Sequence, residues 1–259
     1  MSSHQKINYI ELTHIFRQDD KEFINILQKC RLGMVDDNII DYLLKRYVPV
    51  TSKEIINLVT TNKVADSKNL CEYKKLLTNE FFFTAKATGS FINQHPNYLP
   101  APFEISLKEG TQVIITANNG KLYKNGTIGT IVAISDKGVT VKITNEDRTI
   151  LVTPFTWELK EYDCNSTENS LSLKRKGTYT QIPLKYGWAI TIHKSQGMTL
   201  ENASIDFGNG TFCTGQGYVA VSRLRNYEGL YFLSSLKKEN FRADRKIEEF
   251  LCKLKNRQY

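Results

Sequence analysis

The sequence predicts an α/β fold that is interrupted by a small antiparallel β-barrel. Residues 1–97 and 176–259 alternate between helix-like and strand-like hydrophobic patterns, as chains that cover a parallel sheet with helices do. Residues 104–162 contain only short strand-like runs that are separated by turn signals, which is typical of a small barrel. We therefore expect residues 1–97 and 176–259 to be two parts of one domain, with residues 98–175 inserted as the barrel.

The composition indicates a folded, globular chain with a bias towards polyanionic partners. Of its 259 residues, 41% are hydrophobic and 24% are charged, and its net charge is +8, which favours nucleic acid as a partner. No apolar run is long enough to span a bilayer and no signal peptide is recognisable, so we expect no membrane partner and a cytoplasmic location. The five cysteines are scattered without a C-x-x-C pair, so we predict no metal site.

Two amphipathic helices are predicted near the N-terminus. The first has one apolar face at helical spacing, with Asp19 and Glu22 as a capping box and Gly33 at its end. The second has Asp36 as its N-cap. The two apolar faces consist of Phe23, Ile26, Leu27 and Cys30, and of Ile39, Ile40, Leu43, Leu44 and Tyr47.

The following elements complete the first part of the chain and the barrel. The β-branched run 54–60 predicts a buried strand, residues 63–78 a helix, and the alternating residues 80–89 a strand with one covered face. Asn-Gly and similar turn signals separate four barrel strands at 111–116, 127–134, 139–144 and 148–153. The polar residues 163–176 are expected to form an exposed loop.

Helix-like and strand-like patterns return after this loop. We expect a helix over Tyr186–Gln196, closed by Gly197, and then a strand at 203–207. A helix near 216–224, a strand at 229–233 and a last helix over 243–255 follow.

Three polar clusters are candidate binding sites for phosphate. His193, Lys194, Ser195 and Gln196 end an apolar segment, and such a set of cation, hydroxyl and amide groups suits phosphate oxygens. A solvated helix end with one satisfied histidine is the alternative. Two further clusters hold arginine, whose rigid guanidinium suits bidentate phosphate binding, although arginines usually lie on solvated faces. They contain Arg223 with Arg225, and Arg17 with Gln18.

The order of these clusters around an inserted barrel resembles the C-terminal half of superfamily 1 DNA helicases of the 5′-to-3′ branch, the RecD-like and Pif-type enzymes. "FRQDDKEFINILQKCRLG" is similar to their motif IV region and "LVTTNKVADSKN" to the segment after it. "PLKYGWAITIHKSQGMTLENASID" resembles motif V and "GQGYVAVSRLR" motif VI. "LKEGTQVIITANN…YKNGTIGTIVAI" looks like their Src-homology-3-like insert.

The resemblance implies a second RecA-like domain that carries this barrel, and it implies roles for matching residues. Arg17 and Arg223 would act in catalysis by facing the γ-phosphate of ATP, and Gln196 and Gly197 would also approach the nucleotide. The residues that would contact single-stranded DNA are Thr61, Asn62, Thr191, His193, Lys194 and Ser195, with Asn125 and Gly126 at the tip of the barrel.

The phosphate cradle of such an enzyme is absent from this sequence. No G-x-x-x-x-G-K-[ST] loop occurs, and the single Gly-Lys pair, Gly120-Lys121, reads as a hairpin turn. ATP with Mg²⁺ is therefore expected to be held mainly by a Walker A-bearing RecA-like domain outside this chain, in cis or in trans. The chain alone is not expected to hydrolyse ATP at a useful rate.

Two alternatives belong to other functional classes. One is a stand-alone module that binds single-stranded nucleic acid and has no ATPase activity. The other is a nucleophilic hydrolase that uses Cys213 or Ser195 with His193. Against the hydrolase, Ser195 and His193 would point in different directions on one helix, and no G-x-S-x-G elbow exists.

Overall fold

A computed structural model of the chain describes Ile10, residues 15–49, 55–120, 122–165 and 170–244, and Lys246, Glu249, Phe250 and Lys253. The elements in chain order are α1 (Lys21–Arg31), α2 (Asp37–Leu44), β1 (Ile56–Val59), α3 (Asn62–Lys74), β2 (Glu80–Thr84), β3 (Lys86–Ala87), β4 (Glu104–Lys108), β5 (Gln112–Ile115), β6 (Ile128–Ser135), β7 (Gly138–Ile143), β8 (Thr149–Val152), β9 (Phe155–Asn165), β10 (Ser170–Gln181), β11 (Leu184–Tyr186), β12 (Ala189–Thr191), β13 (Ala203–Asp206), α4 (Gln216–Val221) and β14 (Leu230–Phe232). Short 3₁₀ turns occur at Gly89–Phe91, Pro96–Tyr98 and Lys238–Phe241.

The chain divides into two compact units. The first unit consists of Met1–Ala65 and Ile190–Tyr259, and the second consists of Asp66–Ala189. The second unit thus interrupts the first along the sequence. The predicted domain boundaries after residues 97 and 175 stay a prediction.

The first unit is built on a four-stranded sheet with the order β12-β1-β13-β14. Strands β1, β13 and β14 run parallel, with Ile56 opposite Ala203 and Ala203 opposite Leu230. Strands of parallel sheets are covered on both faces, and the apolar residues of these strands are accordingly buried except Tyr231. The α/β class and the strands predicted at 54–60, 203–207 and 229–233 are confirmed.

The predicted helices of the first unit are found, with one error at the start of α1. The side chain of Asp20 accepts hydrogen bonds from the amides of Glu22 (2.8 Å) and Phe23 (3.2 Å), so Asp20 is the N-cap. The capping box assigned to Asp19 and Glu22 is therefore wrong by one residue. The caps at Asp36 and Gly33 are confirmed, since Asp36 accepts from the Ile39 amide and Gly33 has a φ of 68°.

The helix predicted over Tyr186–Gln196 is wrong. Ala189–Thr191 form strand β12, and the chain then makes a tight turn in which the Ser195 amide donates to the Thr191 carbonyl. The Ile192 amide donates to the Val59 carbonyl at 2.9 Å, which joins this segment to the end of β1. A short apolar run with β-branched residues fits a buried strand as well as a helix, and here pairing with β1 decides between them.

The second unit contains the five-stranded antiparallel sheet β11-β5-β6-β7-β8. The four strands predicted for the barrel are β5 to β8 of this sheet, so their existence is confirmed. One face covers an apolar cluster that includes Val113, Ile131, Val141 and Val152. The description of this sheet as a Src-homology-3-like barrel stays a prediction.

The exposed loop predicted at 163–176 is wrong for the described residues. Strands β9 and β10 form one long antiparallel hairpin, with a bulge between Arg175 and Gly177. The pattern was misleading because Tyr162, Leu173 and the charged residues around them are exposed. The hairpin is fixed at its base, where the buried Tyr179 donates its hydroxyl hydrogen to the Ala101 carbonyl at 2.9 Å.

The remaining helices agree with the sequence patterns in part. Helix α3 corresponds to the prediction at 63–78, and α4 is shorter than the predicted 216–224. The predicted last helix over 243–255 lies mostly outside the described residues. Among the helices that the structure describes, none combines the length and apolar character needed to cross a membrane.

The assignment of the N-cap of α1 gives a first prediction. Asp20→Ala removes the acceptor for two amides and should lower the free energy of unfolding by about 1 kcal/mol in urea denaturation. The matched control is Asp19→Ala, which removes the same charge one residue earlier and should change that free energy by less than about 0.5 kcal/mol. A larger loss for Asp19→Ala than for Asp20→Ala would restore the cap predicted from the sequence.

Candidate functional site

Arg17 and Arg223 come from distant parts of the sequence and lie side by side in the first unit. The Arg17 guanidinium donates from Nη1 to the Ser222 carbonyl and from Nε to Thr199 Oγ1, both at 3.0 Å. The Arg223 guanidinium donates from Nε to the Val219 carbonyl at 3.0 Å and from Nη2 to Ser222 Oγ at 2.9 Å. Both guanidinium groups therefore contact Ser222, which follows α4.

This arginine pair carries positive charge that no acidic side chain neutralises in the described part of the chain. Among the described residues, no carboxylate forms a salt bridge with Arg17 or Arg223, whereas the nearby Arg225 pairs with Glu201 at 2.9 Å. Burial, and then the charge of Arg17, lower the pKa of the Arg223 guanidinium. Two cations placed together without a counterion are unfavourable, so the arginine pair favours an anionic ligand.

A pocket opens beside Arg17. Its volume is ≈ 320 Å³, which lies at the lower end of the range for small-molecule sites. The residues that line it are Ile15, Phe16, Arg17, Gln18, Leu27, Gln28, Tyr218 and Ser222. The lining residues thus include one guanidinium, two amide and two hydroxyl side chains next to apolar ones.

Gln18 holds the segment of Arg17 against the end of α4. Its buried side chain donates from Nε2 to the carbonyls of Leu224 (2.7 Å) and Ser222 (3.2 Å). These carbonyls follow the last turn of α4, where no further helical amide satisfies them. The sequence places Gln18 in the same candidate cluster as Arg17, but it does not reveal that Gln18 acts by binding the carbonyls of Ser222 and Leu224.

The turn after β12 separates the predicted residues into two groups. Ser195 is fully buried and donates its hydroxyl hydrogen to the Ile192 carbonyl at 2.7 Å, and Thr191 Oγ1 accepts from the Lys194 amide at 3.3 Å. These hydroxyls shape the turn. His193, Lys194, Gln196 and Gly197 are exposed, and Gly197 has a φ of 84° that permits the turn.

Thr61 and Asn62 lie close to this turn along the sheet edge. They follow β1 directly, and Thr61 Oγ1 accepts from the Val64 amide (3.4 Å) at the start of α3. Because the Ile192 amide is bound to the Val59 carbonyl, β1 and β12 end together. The first unit therefore gathers exposed polar residues from two adjacent strand ends.

Asn125 and Gly126 belong to the second unit. They lie in the turn between β5 and β6, where the Asn125 amide donates to Asn118 Oδ1 at 2.8 Å and Gly126 has a φ of 91°. Asn125 is exposed. No group of His, Cys, Asp and Glu side chains suited to a metal ion is found among the described residues.

The fold and the site define a class of protein before any comparison. A parallel sheet whose strand ends carry exposed polar turns defines an α/β domain, and its arginine pair, which has no carboxylate partner among the described residues, favours an anionic ligand.

Comparisons with known proteins give the particular family. No protein-family model matches the chain. The ATP-dependent DNA helicase Pif1 of Campylobacter jejuni is 30% identical over 92% of this chain and 56% of its own length. Bacteroides Pif1 in complex with ADP-AlF4 has a TM-score of 0.83 and 29% identity, covering 96% of this chain and 57% of that one.

A second Bacteroides structure, Pif1 bound to ssDNA, has a TM-score of 0.68 and 30% identity and covers 96% of this chain and 57% of that chain. The homologues of this chain are Pif1-family ATP-dependent DNA helicases, so the resemblance to Pif-type helicases is confirmed. The chain spans about a third to just over half of the length of the curated relatives it matches.

The contacts of Gln18 give a second prediction. Gln18→Met keeps the side-chain volume but removes a donor from two buried carbonyls, so the free energy of unfolding should fall by about 1–3 kcal/mol. The control is Gln28→Met, at an exposed glutamine that lines the same pocket, which should change that value by less than about 0.5 kcal/mol. Urea denaturation of both variants measures the difference. Equal stability of both would mean that Gln18 does not hold the Arg17 segment in place.

Proposed function

We propose that this chain is part of an ATP-dependent DNA helicase and supplies Arg17 and Arg223 to the γ-phosphate of ATP. The observation that carries the proposal is the pairing of two guanidinium groups at Ser222 without a carboxylate partner among the residues that the structure describes. Support also comes from relatives that are ATP-dependent DNA helicases and from the neighbour bound to ADP-AlF4.

The chemistry of phosphoryl transfer explains why such a pair is useful. Negative charge spreads over the γ-phosphoryl oxygens in the transition state, and a positioned guanidinium stabilises it without rearranging at that moment. Backbone carbonyls and hydroxyls hold both arginines in place and leave their charge uncancelled. Arg17 and Arg223 would thus act as arginine fingers on a nucleotide.

The nucleotide itself would be held mainly by another domain. The described residues of this chain include no Walker A loop, so a Walker A-bearing RecA-like domain, in cis or in trans, would bind ATP and Mg²⁺. Gln196 and Gly197 would approach the nucleotide from this side. We also propose 5′-to-3′ movement and a location wherever the DNA is found, in the cytoplasm or the nucleus.

Single-stranded DNA would cross the edge formed by the ends of β1 and β12. Lys194 and His193 are exposed there and can contact phosphates, as can Thr61 and Asn62. Ser195 and Thr191 would act by fixing the turn and through its backbone amides, and Asn125 and Gly126 would contact DNA from the second unit. The neighbour bound to ssDNA supports this choice of ligand.

The arginine fingers give a third prediction. The chain alone should show only background ATP hydrolysis, and mixing it with a separately expressed Walker A-bearing domain should produce single-strand-stimulated ATPase activity. Arg223→Ala should then lower kcat by about 10³-fold or more, the usual effect of removing an arginine finger.

Arg225→Ala is the matched control for this experiment. Arg225 lies two residues away and pairs with Glu201 on the surface, so its loss should leave kcat within about twofold. An absence of gain on mixing, or a gain that survives Arg223→Ala, would contradict the helicase proposal. If the affinity for DNA changes neither when nucleotide is added nor in Arg223→Ala, the chain would instead be a stand-alone binding module.

The phosphate contact of Lys194 gives a fourth prediction. The affinity for a single-stranded oligonucleotide should fall as the salt concentration rises. In a plot of the logarithm of the binding constant against the logarithm of the salt concentration, Lys194→Ala should make the slope shallower by about 0.7, the value for one lost phosphate contact. Lys21→Ala removes an equally exposed lysine from the start of α1 and should leave the slope unchanged. Fluorescence anisotropy over a salt series measures both. Identical slopes for the two variants would show that Lys194 does not contact a DNA phosphate.

A further inference from the structure

The loop between β13 and α4 holds an aromatic side chain in solvent. Phe212 is 59% exposed, although Phe207, five residues earlier, is fully buried. A single exposed phenylalanine is common and needs no explanation by itself. The surroundings of Phe212, however, distinguish it from the other exposed aromatic residues of the first unit.

The backbone beside Phe212 is fixed on both sides. The Phe212 amide donates to Gln216 Oε1 at 3.1 Å. The carbonyl of Thr211 accepts from Arg242 Nη2 at 3.1 Å, and the Gly215 amide donates to the Arg242 carbonyl at 2.7 Å. The exposure of Phe212 is therefore a property of a well-anchored loop.

The anchoring of this loop has a cost. Gln216 is buried, and while its Oε1 holds the Phe212 amide, its Nε2 has no hydrogen-bond acceptor among the described residues. A buried amide group without a hydrogen-bond partner destabilises the folded state. Such a group in a folded protein therefore calls for an explanation, for example that it fixes the position of a functional residue. The position maintained here is that of Phe212.

Phe212 lies against the polar turn that follows β12. The centroids of its ring and the His193 ring are 5.8 Å apart, and the two planes are inclined by 40°. His193 is itself exposed, and Lys194 is the next residue. One aromatic ring, one imidazole and one ammonium group are thus presented together on the first unit.

We propose that Phe212, supported by His193, is a stacking platform for one nucleobase of the bound single strand. This inference rests on the proposed binding of single-stranded DNA by the turn at His193 and Lys194. Bases of any sequence stack on aromatic side chains, while a neighbouring lysine neutralises the phosphate of the same strand. The strand would thus be held by its backbone and by one base, with little sequence preference.

The test compares two probes, a short oligothymidylate and an oligonucleotide of equal length that has a sugar-phosphate backbone without bases. Phe212→Ala should weaken binding of oligothymidylate by about 5-fold to 150-fold, the range for losing one stacked base. Binding of the abasic probe should not change, because Phe212 does not contact the backbone. Phe212→Trp should retain the affinity for oligothymidylate. Oligothymidylate should also quench the fluorescence of the tryptophan introduced at this position.

Tyr47→Ala is the matched control, since Tyr47 is an aromatic residue of the same unit with 55% exposure and no predicted role at the DNA. It should bind both probes like the unsubstituted chain. Urea denaturation of Phe212→Ala shows whether the loop change disturbs the fold.

The remaining outcomes distinguish a failure of the stacking platform from a failure of the proposed function. If Phe212→Ala binds oligothymidylate normally, or weakens both probes by the same factor, the platform is refuted and DNA binding by the turn stands. If the unsubstituted chain binds neither probe in a salt-dependent manner, the proposed function and the platform are both overturned.

Discussion

The carbonyl groups at the end of α4 organise the candidate site. Ser222 offers its carbonyl to Arg17 and to Gln18, and Leu224 offers its carbonyl to Gln18. The Ser222 carbonyl is available because Ser222 caps the end of α4, where no helical amide follows, and the Leu224 carbonyl lies beyond the helix. They fix a guanidinium by hydrogen bonds and leave its charge intact, whereas a carboxylate would cancel it. Arg17 is thereby held beside Arg223, where burial and then the charge of Arg17 lower the pKa of the Arg223 guanidinium.

The parts of the fold that sequence patterns predict well are those in which one local force dominates. Helices α1 and α2 follow from apolar residues at helical spacing, and strand β1 follows from a short apolar run that is rich in β-branched residues. The segment at 189–196 was predicted incorrectly because helix and strand suit a short apolar run equally well, and only pairing with β1 selects the strand. The hairpin of β9 and β10 was hidden because Tyr162, Leu173 and the charged residues around them are exposed, so the segment lacks the pattern of a buried strand.

The residues of the site were predicted from resemblance, and their arrangement could not be. Nothing in the spacing of Arg17 and Arg223 reveals that both reach Ser222. The roles of Thr191 and Ser195 illustrate a second limit. Small hydroxyl side chains in a tight turn often bond to their own backbone, and here both do so, although their types suit phosphate equally well. Phe212 was overlooked because its importance depends on its contact with His193, and the role of Gln18, although it was named with Arg17, depends on carbonyls near the end of α4.

Under the proposed function, the arginine pair would also couple nucleotide binding to the position of this domain. Without an anion, the two guanidinium groups repel each other, and burial adds to the cost for Arg223. A triphosphate placed between them would turn that repulsion into attraction, so the domain would favour states in which it faces a nucleotide. After loss of the γ-phosphate, the attraction would weaken. Under the proposed function, this difference in interaction free energy between nucleotide states is what a motor needs, because a ligand shifts an equilibrium only by its differential affinity.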